Sequence, residues 1–314
     1  MAAQCLDRAT FLFVRRATTK AIAGIVALVL LIAACGGDDS IAATSSTATA
    51  AAESESTGSV PADAIAIRAS ADIGLGNERL LVGIGRPNGE RLLTNDVSAV
   101  IEVAPQGDPT AIQRSEAHWT WIVLNAIGLY RGQFDFDEPG VWTANLILDG
   151  GPELEPVVFE VFENPAAPAL GEVVPVPPTP TLDDLPIEEL TTDPDPDPAF
   201  YELSLAEAIA NEQKTVLVFS TPAYCRTAAC GPLLDNVKEI VPQHEDVNFV
   251  HVEVFTNLTD PEFAPDAAHL APAVGSDWFN LPSEPWVFVL DPDGVVVGRF
   301  EGVLDPAELT ELLG

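Results

Sequence analysis

The sequence predicts a multidomain protein, an antiparallel β-sandwich followed by a separate α/β domain. Three observations carry this. The chain has 314 residues, enough for two domains. Residues 62–163 alternate apolar and polar positions with period two between regularly spaced turns. Residues 199–314 instead interleave strand-like apolar runs with capped helical patterns. The formal charge is −34. Such a surface repels nucleic-acid phosphate and anionic lipid headgroups, which excludes nucleic-acid binding.

Residues 1–34 form an address. Arg8, Arg15, Arg16 and Lys20 outweigh Asp7, and residues 21–34 are apolar without a break. That run is short for a bilayer span but suits the core of a signal peptide. Ala33 and Ala34 then precede Cys35. Ile32-Ala33-Ala34-Cys35 resembles the bacterial lipobox, in which the cysteine is acylated and becomes the mature N-terminus. The resemblance implies lipidation of Cys35, a lipid anchor in the cell membrane, and a protein on the extracytoplasmic face. Residues 35–61 are mostly Ala, Ser and Thr with scattered acids. They lack the apolar periodicity that offsets ordering entropy, so a flexible tether is expected.

In residues 62–163 the inward-facing sets are Val97, Ala99, Ile101 and Val103; Tyr130, Gly132, Phe134 and Phe136; and Trp142, Ala144, Leu146 and Leu148. A run from Val158 to Phe162 closes the series. Turn signals separate the runs at residues 86–89, 106–109, 138–140 and 149–152. The stretch from Gly128 to Leu148 resembles the closing hairpin of bacterial immunoglobulin-like modules, which implies an Ig-like sandwich and says nothing of a ligand. His118 is the domain's one histidine, and a lone strand histidine does not make a metal site. Gly83, Gly85 and Gly89 lack the strand-to-helix setting of a dinucleotide loop. Trp119, Trp121 and Trp142 read as core. The domain is expected to act as a spacer or docking module.

Residues 164–198 are rich in proline with acids between, as in Val174-Pro-Val-Pro-Pro-Thr-Pro180 and Asp193-Pro-Asp-Pro-Asp-Pro198. Extended polyproline and mutual repulsion predict a semi-rigid spacer holding the last domain away from the sandwich.

In residues 199–314, Ser204-Leu-Ala-Glu207 is a capping box opening a short helix. Lys214–Ser220 reads as a buried strand, and Pro232–Val241 as a helix with Leu233, Leu234, Val237 and Ile240 on one face. Pro242 stops it. Val247–Phe255 is a second strand. Residues 286–290 and 295–300 flank Asp291-Pro-Asp-Gly294 as a hairpin. Asp305-Pro306 starts a final helix, with Asp as cap and Pro in the first turn.

Between the first strand and its helix lie Cys225 and Cys230. This turn, with Ser283-Glu284-Pro285 ahead of the hairpin and the order βαβ then ββα, resembles the thioredoxin fold across about residues 203–313. The spacing here is C-x4-C where the family has C-x-x-C. The resemblance implies a cis Pro285 beside the cysteines, a catalytic pair Cys225 and Cys230, and exchange with extracytoplasmic protein thiols or disulfides. Cys225 lies at the family's distance from the strand, yet Cys230-Gly231-Pro232 also spells the start of the family's Cys-Gly-Pro-Cys. Glu284 stands where the family has a small or apolar residue. Phe219 stands near where several members keep a buried acid.

The residues themselves leave three readings open: a redox pair, an inert bridge, or a Cu(I) site of Cys225, Cys230 and His269. In the first, Arg226 adds positive charge beside the thiols. His244 and His251 read as surface or packing residues. No cofactor is called for. On a regular helix, positions five apart rise about 7.5 Å and point about 140° apart. A disulfide wants Cα atoms within about 7 Å. A bonded pair therefore requires irregular chain at Cys225 and a helix that begins near Cys230.

Overall fold

The structure, a computed structural model, describes residues 60–314. The signal segment, Cys35 and nearly all of the tether lie outside the described residues.

The first domain contains seven strands: β1 Ile65–Arg68, β2 Gly76–Gly85, β3 Ala99–Pro105, β4 Gln113–Val123, β5 Ile127–Phe136, β6 Gly140–Leu148 and β7 Val157–Val161. All pair antiparallel, in the order β1-β2-β5-β4-β3-β6-β7. Strand β4 belongs to two sheets. Its residues 113–117 pair with β3 and its residues 118–123 pair with β5. The result is one sheet β1-β2-β5-β4 facing another, β3-β6-β7, the arrangement of immunoglobulin constant-type sandwiches. Apolar alternation supplies the core, with Leu80, Val82, Ile101, Tyr130, Phe136, Trp142 and Ala144 all buried between the sheets.

The hairpin expected across Gly128–Leu148 does not form. Strand β5 pairs with β2 and β4, whereas β6 pairs with β3 and β7. The two strands are consecutive, but they lie in opposite sheets. Their large residues explain this: Phe136 meets Trp142 edge-on at 5.0 Å and Phe159 at 5.7 Å across the core.

The second domain has a four-stranded sheet in the order β11-β10-β8-β9, built from β8 Lys214–Ser220, β9 Val247–Glu253, β10 Trp286–Leu290 and β11 Val296–Glu301. Strands β8 and β9 are parallel, and the other neighbours are antiparallel. Four helices accompany it: α1 Ile187–Leu190, α2 Leu205–Ala210, α3 Cys230–Lys238 and α4 Pro306–Leu313. Central strand β8 is apolar on both faces because both are covered. Val216 and Val218 pack against α3 and α4, while Leu217 and Phe219 pack on the side of α2. Capping boxes at Ser204–Glu207 and Asp305–Glu308 start α2 and α4.

The segment 164–198 is not a spacer. Residues 171–174 run along β11, where the Gly171 and Val174 amides donate to Val296 and Gly294 carbonyls at 2.9 and 3.0 Å. Ala167 and Val174 enter one core of the second domain and Leu190 the other. Extended proline-rich chain is well suited to covering a sheet edge, whose unpaired amides and carbonyls need partners.

Nor is the sandwich held at a distance. Arg299 on β11 is 1% exposed at its side chain and makes 2.7 Å ion pairs with both Asp72 and Glu78 of the sandwich. Arg79 and Arg131 of the sandwich both reach Glu308 on α4, at 3.1 and 3.2 Å. Asp72 also accepts from the Ala166 and Ala167 amides. Burial pushes the Glu78 carboxyl above the usual range, and Arg299 opposes it. The two domains share one charged seam.

Candidate functional site

Strand β8 ends at Ser220, and the chain turns over residues 221–229 before α3 begins at Cys230. Cys225 and Cys230 are joined by a disulfide with Cα atoms 5.9 Å apart. The local path meets the constraint set by the five-residue spacing. Cys225 sits in irregular chain, Ala228 takes the left-handed conformation at φ 60°, and Cys230 is the first residue of the helix. A left-handed residue reverses the path locally, which lets the turn fold back on itself.

The two sulfurs differ in access. Cys225 is half-buried and Cys230 is fully buried, at 0% exposure. The Cys230 amide donates to Cys225 Sγ at 3.2 Å, and Thr227 Oγ1 lies 3.4 Å from the same sulfur. This amide is one of the orphan donors of a helix N-terminus. On reduction it is placed to hydrogen-bond a Cys225 thiolate.

The Glu284–Pro285 peptide is cis and Pro285 is buried ahead of β10. Burial raises the Glu284 carboxyl above its ordinary range, opposed by Arg226 from the cysteine turn. Ser283, just before it, donates to Glu301 at 2.7 Å, and the other oxygen of Glu301 accepts from the Ala71 amide of the sandwich at 2.8 Å.

The copper set does not assemble. His269 pairs with Asp266 at 3.2 Å and lies against the Phe263 ring. Among the described residues no three His, Cys, Asp or Glu side chains are grouped to hold a metal ion. His118 is exposed on β4.

Two polar residues lie beneath the turn. His251, read as a surface or packing residue, is a buried packing one. Its Nε2 lies 2.8 Å from Ser220 Oγ and 3.2 Å from the Ser220 carbonyl, and Tyr201 Oη is 2.7 Å from Nδ1. A carbonyl only accepts, so Nε2 carries the proton and Tyr201 donates to Nδ1. Desolvation lowers the His251 pKa to about 4. Glu253 is buried in register with Ser220, at the point where β8 gives way to the turn. Desolvation raises its carboxyl, opposed by hydrogen bonds from Thr192 and the Val254 amide. Phe219 leaves β8 without an acid, and β9 supplies one from alongside. A strand residue's letter does not disclose which neighbour its side chain will face.

These features define a thioredoxin-like domain carrying a cysteine pair, joined to an Ig-like β-sandwich. The comparisons agree on the first. A family described as "Thioredoxin-like domain" matches residues 201–314. No curated protein matches the chain. Among solved structures, one described as "Crystal structure of the Lin-41 filamin domain" is similar with a TM-score of 0.24 and 17% identity, covering 34% of this chain and 100% of that one.

Proposed function

We propose that the protein is an extracytoplasmic thiol–disulfide oxidoreductase, held at the cell membrane by a lipid on Cys35, which acts on a partner protein through Cys225 and Cys230. The observation that carries this reading is the asymmetry of the pair. An accessible sulfur in irregular chain receives a helix-terminal amide, and its bonded partner is sealed behind it.

A partner thiolate attacks Cys225 Sγ. The Cys225–Cys230 bond breaks, a mixed disulfide forms, and Cys230 leaves as a thiolate. A second partner thiolate attacks the partner's own sulfur and releases Cys225. The partner dithiol is oxidised to a disulfide and the pair is reduced. The same steps run backwards reduce a partner disulfide, and the compartment's poise sets the direction.

Trapping tests this reading. Cys230→Ser should accumulate a partner mixed disulfide on Cys225, resolved by reductant, and Cys225→Ser should capture none. A couple with a potential below about −300 mV and no exchange with protein disulfides would mark an inert structural bridge instead. Palmitate incorporation that persists in Cys35→Ala would refute the anchor.

A further inference from the structure

The 164–198 strap touches the cysteine turn and the helix that follows it through two consecutive residues. Thr192 donates both its amide and its hydroxyl to Glu253 Oε2, at 2.9 and 2.7 Å. Its hydroxyl proton is thereby committed to the carboxylate, so its oxygen lone pair is free to accept. It accepts from the Ala223 amide at 3.1 Å, two residues before Cys225. Asp193, with its side chain 5% exposed, takes Lys238 Nζ at 2.8 Å, and Lys238 also donates to the Asp195 carbonyl at 3.1 Å. Lys238 is the last residue of α3, the helix whose first residue is Cys230. One residue of this strap thus holds the approach to Cys225, and the next holds the helix that presents Cys230.

We infer that Thr192 and Asp193, with Glu253 behind them, are positioning residues that set the redox equilibrium of the Cys225–Cys230 couple; the inference rests on the exchange reading only for its biological use. The physical reason lies in the reduced state. With the disulfide closed, the crosslink already orders the turn, so the strap's hydrogen bonds form at little further entropic cost and stabilise this state in full. With it open, the strap and the packing of Tyr224 on Phe255 and Phe263 must themselves order the turn, so the same bonds stabilise the reduced state less. Releasing the strap lets the reduced turn spread, so closing the disulfide must order it again.

The test is the equilibrium of the full chain with glutathione redox buffers, read as the constant for forming the Cys225–Cys230 disulfide. Thr192→Val removes the hydroxyl and keeps the shape. It should lower that constant about tenfold, the scale of one well-formed hydrogen bond lost, which is a shift of about 30 mV towards a more oxidising couple. Thr192→Ser retains the donor and acceptor and should match the wild type. Lys238→Gln, which cuts the Asp193 contact from the solvent side, should move the constant in the same direction as Thr192→Val. Constants for Thr192→Val and Lys238→Gln within twofold of wild type, whatever happens to their melting temperatures, overturn the inference. If the wild type exchanges with no protein disulfide and yet the variants shift, the exchange reading fails and the positioning role stands.

Discussion

Replacing Arg299 with Met removes the one guanidinium that neutralises two sandwich carboxylates. Asp72 and Glu78 each sit 2.7 Å from it, with side chains 5% and 6% exposed. The guanidinium also lies 5.1 Å from the centre of the Trp286 ring. Breaking a buried pair from one side leaves uncompensated charge and costs about 3–5 kcal/mol. The sign with pH follows from Glu78, whose carboxyl burial already raises against the pull of Arg299. Without Arg299 its folded pKa rises further above the unfolded one, so stability is lost as pH rises through that interval. The deficit should be largest near pH 7 and shrink towards pH 4. Adding Asp72→Asn and Glu78→Gln removes the stranded charge and should restore most of the loss. Urea unfolding checks this, followed by fluorescence of Trp142 in the sandwich and Trp286 in the second domain, both buried. The reasoning fails if Arg299→Met costs under about 1 kcal/mol, the scale of an exposed pair. It fails equally if the deficit grows on acidification.

Three further outcomes are expected. His251 has a folded pKa of about 4, below its unfolded value, so its contribution is complete above pH 6.5 and lost as pH falls towards 4. The loss is about 3 kcal/mol relative to a His251→Gln variant, measured as the difference between their pH–stability curves; parallel curves would refute it. Phe219→Ala empties a site where its ring meets Phe279 at 4.7 Å, and should cost about 3–5 kcal/mol in urea unfolding. Gly128→Ala places a methyl against the Trp119 ring and should cost about 1–3 kcal/mol, detectable as a lower melting temperature; an unchanged melting temperature would show that the ring swings clear.

The sequence made legible whatever depends on neighbours along the chain. Strand β8, both capping boxes, the turn before Val295 and the start of α3 at Cys230 follow from local pattern and from proline and cap chemistry. The significance of Pro285 rests instead on the resemblance to the thioredoxin fold. Pairings between distant residues stayed hidden, because nothing local marks them. Arg299 finds Asp72 and Glu78 more than 200 residues away, and its own surroundings read as an ordinary hairpin strand. Residues 164–198 misled for a related reason. Proline and aspartate dominate their composition, while their anchors Ala167, Val174 and Leu190 are too sparse to give a period. The acid beneath the turn was missed because it was sought on β8, when the parallel register puts Glu253 of β9 beside Ser220.

The 164–198 strap bears on where this protein can be cut. The family match begins at residue 201, and a fragment started there would look complete by homology. It would bare the β11 edge, leave Glu253 without Thr192, and deprive Arg299 of both its carboxylates. The heritable module and the smallest stable fragment therefore differ. The contacts of Thr192 and Asp193 with the cysteine turn and α3 survive only in a chain that includes those residues, and the Arg299 ion pairs only in one that also includes the sandwich.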